Sequence, residues 1–518
     1  MTLGKVFFWL DDFLWGTPFI VFCLFIGFYF FLRGKCFTIV HFPHIWKHTL
    51  VAQIHKDKDA EQKKAGTVSP IEAVCIAIGG CVGAGNIGGV ATAIATGGPG
   101  AVFYLWVWAF LGMMIKCVEI TLGCHYRTTN EKGEYFGGGT YCLERGIGRE
   151  QHHPKLGLFL AVLLAVCFWM QFLAGSQAYT ISEVLHYSFG INMVVVTLLY
   201  SVMLWYVIWK GVPRIAKLAT MAVPFMCVAF IIGGLGLIIA NIATLPSVFV
   251  SIFKYAFTPH AAVGGFAGCA VSEAISRGLS RSINSGEAGQ ASSPFIHGSA
   301  DTPHPVAEGL WGAFEIFMDT VVVCSISALA VLCTGEWTSG ADGATLSIMA
   351  YHTLYGRFAD YFIGFIMVLF GITSTAGWFT YYCTVIQWLF RSHPILRDRI
   401  LFIFKLVFPI PNIVIVTSIT VGGYSADLFW AIVDVSLAPV VFSNLLGLFL
   451  LRNKFFDLLK DYKARYMGIG KVDPNFRVFY EDDPKVFEQE EALRQHFRKI
   501  QEDAYAKRGK TFKTVDEA

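Results

Sequence analysis

Asp319 lies inside the apolar run FMDTVVVCSISALAVLCTG (317–335), and Lys116 and Glu119 lie inside another, residues 101–126. A charge in such surroundings is costly, so it marks either function or neutralisation by a neighbour. With Thr320, Asp319 offers oxygens for a cation site or a gate, or it pairs with a distant Arg or Lys. Asp434 in AIVDVSLAP raises the same question. Lys116 and Glu119 stand i, i+3 on one helix face, which predicts a mutually neutralising structural pair. Chemistry that breaks bonds needs more: a nucleophile beside its base, a metal cluster or paired carboxylates on facing helices. The sequence offers none of these. Its 13 cysteines fall mostly in apolar segments without metal spacing and read as free, buried thiols. His297 and His304 read as solvated or helix-entry residues of a polar loop, and Glu287 as a helix end or part of a gate. The residue types suit binding rather than catalysis, so no enzymatic activity is expected.

The elements that must position these residues are apolar blocks of about twenty residues, each long enough to cross a bilayer core. The chain has 518 residues, 55% hydrophobic and only 15% charged, which predicts an all-α polytopic membrane protein. Spans are expected at 13–32, 70–97, 101–126, 157–187, 192–209, 215–243, 262–283, 306–334, 359–390, 400–420 and 427–451, eleven in all. The first lacks a basic flank and a cleavage site, so it reads as a retained span rather than a signal peptide. Residues 33–66 read as an amphipathic surface segment. Every second loop is rich in Lys and Arg, which orients the N-terminus outside and the tail, 452–518, in the cytoplasm of a plasma-membrane protein. A net charge of +3 and the lack of a basic stripe argue against a nucleic-acid partner; the expected surroundings are lipid.

Two spans are dense in glycine: IGGCVGAGNIGGVATAIATGG (78–98) and GGFAGCAVSEAISRG (264–278). Glycine weakens a helix, and backbone unwound at membrane depth is tolerated only where it lines a cavity or packs in protein. The two spans are five apart. Setting aside the first span as peripheral, they open two five-helix halves of opposite orientation, residues 67–261 and 262–451. Such a matched pair of interrupted helices points to a transporter binding site. The alternative is that the glycines serve only close helix packing.

The stretch GGCVGAGNIGGVATAIATGGPGAVFYLWVWAFLGMMIKCVEITLGCHYR (79–127) resembles the signature of the alanine or glycine:cation symporter family. RSINSGEAGQASSPFIHGSADTPHPVAEG (281–309) and FMDTVVVCSISALAVLCTG (317–335) are similar to its later motifs, and the resemblance runs from about 67 to 451. It implies the five-plus-five inverted-repeat fold of the amino acid–polyamine–organocation superfamily. It also implies sodium-coupled symport of small neutral amino acids, alanine or glycine, by alternating access, with sodium as the coupling ion and no other cofactor. The chain departs from the family pattern at Tyr179 and Thr180, at Phe379–Thr384, at Val440 and at Gly286.

Within that resemblance, a zwitterion desolvated at mid-membrane needs donors for its carboxylate and acceptors for its ammonium, and an unwound backbone supplies both. The carboxylate is expected near Gly83, Gly85 and Asn86, and the ammonium near the carbonyls of Phe266, Ala267 and Gly268. Gln177 is expected to donate or accept a hydrogen bond, and Trp378 to wall a small side chain. Sodium prefers hard oxygens: the carbonyls of Gly80 and Gly83, the Asn86 side chain, and the hydroxyls of Thr373 and Ser374. In the superfamily, one sodium bridges the first and eighth core helices, here the second and ninth spans. The competing reading of Thr373 and Ser374 is a hydroxyl bonded back to its own helix. Three alternatives remain: proton coupling on the same fold, a sensor whose charged tail signals, and a channel, against which the twin broken helices argue.

Overall fold

A computed structural model describes residues 3–52, 66–172 and 176–517. Among the described residues, seven helical stretches are long and apolar enough to cross a membrane: Gly100–His125, Pro154–Phe172 with Ser176–Phe189, Val212–Ala240, Pro305–Thr334, Phe358–Leu389, Pro394–Thr420 and Leu428–Leu450. Two bent pairs add the first and second spans, Gly4–Leu14 with Thr17–Arg33, bent by 41°, and Pro70–Cys81 with Gly85–Gly97, bent by 50°. The fifth span is the shorter apolar helix Met193–Ile208. The seventh begins as Val271–Gly286, whose charged residues keep it from reading as an apolar span. Among the described residues, the expected spans therefore fall mainly on helix, except for the start of the seventh, 262–270. Of the segment 33–66, residues 53–65 lie outside the described residues; Phe37–Val51 forms three short helical pieces.

The second span starts with a capping box, in which Ser69 accepts from the Glu72 amide and Glu72 from the Ser69 amide. It stops at Cys81, turns extended at Val82, and restarts at Gly85 in a widened π-type turn through Gly89. Close approach, as well as flexibility, demands glycine here. A Cβ on Gly80 would meet the Tyr381 hydroxyl at 2.6 Å, and one on Gly83 the Gln177 amide at 2.9 Å. The facing Gly377 of the ninth span lies against Gly80, where a Cβ would sit 3.2 Å from its Cα. Small residues likewise seat the eighth span on the third: a Cβ on Gly312 would meet the Lys116 carbonyl at 3.0 Å.

The second interruption is not where the glycines of 264–268 suggested. Those residues precede the helix and form a hairpin-like loop, with bridges His260 to Cys269 and Val263 to Phe266. Gly264 and Gly268 supply its positive φ angles, 57° and 85°. The helix breaks one segment later, after Gly286: Glu287, Gly289 and Ala291 all have positive φ, and a short helix, Pro294–His297, resumes. Serine and glycine in NSGEAGQASS (284–293) give that stretch its freedom to turn.

Candidate functional site

The two breaks face one cavity of about 600 Å³. Gly80, Cys81, Ala84 and Gly85 contribute the first wall, and Ser285 and Glu287 the second. Gln177 and Tyr179 come from the fourth span, and Ser374 and Trp378 from the ninth. The remaining lining, including Asp342, Asp434, and Asp11 and Asp12 of the N-terminal helix, lies toward one end of the bundle, so the cavity opens on the face that carries the N-terminus. That helix is tied to the eleventh span by the Trp15 indole, which donates to the Asp434 carbonyl at 3.0 Å.

Ser374 joins the second and ninth spans directly: its hydroxyl donates to the Gly80 carbonyl at 2.8 Å. Thr373 behaves differently. Its hydroxyl donates back to the Leu369 and Phe370 carbonyls at 2.9 and 3.1 Å, and it does not line the cavity. Asn86 closes the first break from within, accepting from the Gly83 amide at 2.9 Å. Its amide nitrogen donates to Asp319 Oδ1 at 2.5 Å. The other Asp319 oxygen accepts from Thr320 at 2.7 Å and Ser285 at 3.1 Å. Asn86, Asp319 and Thr320 are buried, one layer behind the cavity wall, and Asp319 sits in a second π-type turn, Phe317–Cys324. Gln177 accepts from the Ala84 amide at 3.0 Å, holding the restart of the helix. Trp378 donates its indole N–H to Glu287 at 2.8 Å.

The structure does not bring Phe266, Ala267 and Gly268 to this site. Their loop packs against Trp337 and the chain near Gly340, because the hairpin ends before the helix enters the bundle. Glu287 and Ser285 occupy the place expected of them, and Ser285 was missed, although the Ser-Gly-rich run around it was a signal. Lys116 and Glu119 hold the second break instead of neutralising one another. Lys116 donates to the Gly286 carbonyl at 3.2 Å, and Glu119 accepts from the Gly289 and Ala291 amides at 3.0 and 3.2 Å. His297 is not solvated: it is buried between Glu308 (2.7 Å) and Glu315 (2.5 Å). His304 does enter a helix, accepting from the Val306 amide at 3.1 Å.

Among the described residues, ion pairs tie the opposite face together. Arg391, at the end of the ninth span, binds both oxygens of Glu144 at 2.6 Å, and Trp388 donates to the same carboxylate at 2.7 Å. Burial works to raise the Glu144 carboxyl, but Arg391 outweighs it and holds the group below its ordinary value. Arg149 links Glu144 to Glu490 of the tail, and the buried Arg145 binds Glu481 and Glu490 at 2.9 and 2.8 Å.

Residues 1–476 match the sodium:alanine symporter family. A putative sodium/proton-dependent alanine carrier of Bacillus subtilis, YrbD, is 34% identical over 482 residues, covering 90% of this chain and 94% of its own length. A probable sodium/glutamine symporter of the same organism, GlnT, is 33% identical over 475 residues, covering 91% and 92%. Among solved structures, that of MhsT in complex with L-phenylalanine superposes with a TM-score of 0.53 at 13% identity, covering 77% of this chain and 99% of that one. At that identity the likeness establishes the fold: the broken second and seventh spans belong to a five-plus-five inverted repeat, preceded by one peripheral helix.

Proposed function

The chain belongs to the sodium:alanine symporter family, and from that premise we propose that it couples sodium entry to the uptake of a small neutral amino acid, alanine or glycine. The fold is that of a multi-pass membrane transporter and not of an enzyme. The observation that carries the proposal is the meeting of two broken helices at the floor of one cavity, with Ser374 bridging to the Gly80 carbonyl. The restart of the second span at Gly85 turns the positive end of a helix toward the cavity, which suits the carboxylate of an amino acid. Asn86 and Gln177 keep that end rigid. The ammonium falls to the second break, at 287–293, in place of the 266–268 loop.

Two oxygen-rich sites suit sodium. One is the Gly80 carbonyl with the Ser374 hydroxyl, two oxygens that the ion shares once the hydroxyl turns its proton away. The other is Asp319 with Thr320 and Asn86, which supplies a carboxylate to balance the cation. Binding at these points ties the broken second span to the ninth and eighth spans and so favours closure over the cavity. The basic loops support an orientation with the N-terminus outside and the tail in the cytoplasm; the cavity then faces the exterior. On this reading residues 67–261 and 262–451 are the two five-helix repeats of the transporter.

Uptake of labelled alanine and glycine into proteoliposomes, with an inward sodium gradient, a proton gradient or neither, tests the proposal. Accumulation driven by sodium is expected. Accumulation driven by protons alone, or none with either gradient, rejects it.

A further inference from the structure

Glu287 is the carboxylate at the cavity floor. It follows the last residue of the helix Val271–Gly286 and holds a left-handed backbone, φ 55°, which is uncommon outside glycine and persists only where the surroundings impose it. Its side chain is 2% exposed. One oxygen accepts from the Trp378 indole at 2.8 Å and the other from the Ser292 hydroxyl. Both donors are neutral. The buried ammonium nearby, Lys116, is directed at the Gly286 carbonyl and lies 3.9 Å from Glu315. Among the described residues Glu287 is thus aimed and held with no cation hydrogen-bonded to it, and a desolvated carboxylate in that condition gains most from a charged hydrogen-bond donor.

The spacing fits an amino acid. Ser374 and Trp378 stand four residues apart on one face of the ninth span, a rise of roughly 6 Å. Ser374 touches Gly80, at the edge of the first break, and Trp378 touches Glu287. Glu287 therefore lies about one helical turn from the edge of the first break, a gap that an α-amino acid head group fills.

We propose that Glu287 is the specificity-determining residue that binds the α-ammonium of the substrate, so that the site selects amino acids over their des-amino and hydroxy counterparts. This rests on the amino-acid symport reading above. The Glu287 carboxylate accepts the ammonium N–H, Trp378 and Ser292 position it, and Lys116 holds the backbone immediately before it.

The test is sodium-driven uptake of labelled L-alanine by the parent, Glu287→Gln and Glu287→Asp in proteoliposomes, with competition by unlabelled L-alanine and by L-lactate, which replaces the ammonium with a hydroxyl. Glutamine keeps an oxygen for the Trp378 indole and removes the charge. Its KM for alanine should rise about thirty-fold, while the weak competition by lactate stays within about threefold. Aspartate keeps the charge at shorter reach and should raise KM less than glutamine does; it carries the test should the glutamine variant not insert. An unchanged KM for alanine in both variants overturns the assignment. So does a loss that is equal for alanine and lactate, which is what a purely structural role at the break gives. If the parent itself takes up no amino acid, the symport reading falls and this assignment with it; if the parent transports and the variants match it, only the assignment falls.

Discussion

At the scale of single residues, the hydroxyls of Thr373 and Ser374 are adjacent in sequence yet differently committed. Ser374 reaches across to Gly80, whereas Thr373 is bonded to its own helix. Replacing Ser374 with Ala should raise the sodium concentration for half-maximal uptake about tenfold, as expected for one oxygen lost to a cation. Thr373→Ala should move it less. A sodium titration of uptake checks this, and an unchanged midpoint for Ser374→Ala would remove it from the ion site. Tyr179, one of the positions where the chain departs from the family pattern, lines the cavity. Its bulk narrows the space left for a side chain, so Tyr179→Asn should reorder uptake among glycine, alanine and serine while leaving sodium dependence nearly constant. An apolar pocket separates substrates by roughly ten- to two-hundredfold per methylene, which bounds the shift. The same ranking in both proteins, at matched expression, would show that Tyr179 does not read the substrate.

At the scale of elements, the glycines of the second and ninth spans let two helices touch at backbone distance. A methyl on Gly80 points at the Tyr381 hydroxyl, 2.6 Å away, in a layer where Gly377 already abuts Gly80. Gly80→Ala should therefore cost about 1–3 kcal/mol through overpacking and lower the melting temperature in detergent. Tyr381→Phe should restore part of the loss by removing the atom that clashes. Equal melting of Gly80→Ala and the parent would mean that the helices separate at no cost. The seventh span teaches the complementary lesson. Its glycines at 264 and 268 make a loop, and its break falls where Glu119 and Lys116 of the third span bond the freed amides and carbonyl. An interrupted helix is stable in a bilayer only where its orphaned backbone groups find such partners.

At the scale of the whole molecule, the tail joins the ion pairs on the face opposite the cavity mouth. Glu481 and Glu490 lie beyond the part of the chain that matches the family, yet they neutralise Arg145 and Arg149, and Gln501 donates to Asp398 at 3.1 Å. Glu490→Gln should lower the melting temperature by about 1–2 °C, a small shift because the chain is long. Burial works to raise the Glu490 carboxyl, but Arg145 and Arg149 outweigh it and hold it below its ordinary value. A carboxyl lowered on folding contributes stability that is complete above the unfolded value, about 4.3, and that is lost as pH falls through the lower folded value. The parent should hold a plateau from neutral pH to about pH 5 and lose stability below it, and Glu490→Gln should lose less in that acid range. Melting curves across pH check this; parallel profiles would detach Glu490 from those ion pairs.

The sequence alone determined where most of the apolar helices run, because bilayer thickness sets a length that apolar residues must meet one after another. It determined the first break too, since Gly79, Gly80, Gly83 and Gly85 crowd one span around Asn86. Asp319 announced itself by its apolar surroundings. Only the tertiary structure decided the rest. Phe266–Gly268 and Gly286–Gly289 look alike as strings, and what separates them is whether a neighbouring helix offers charges to the freed backbone. Lys116 and Glu119 were legible as costly charges but not as partners of residues some 170 positions away. The N-terminal helix gave no sign that Asp11 and Asp12 would line the cavity. Local pattern reports what a segment can bury and where it can bend; which groups meet across a cavity depends on the packing of segments far apart in the chain.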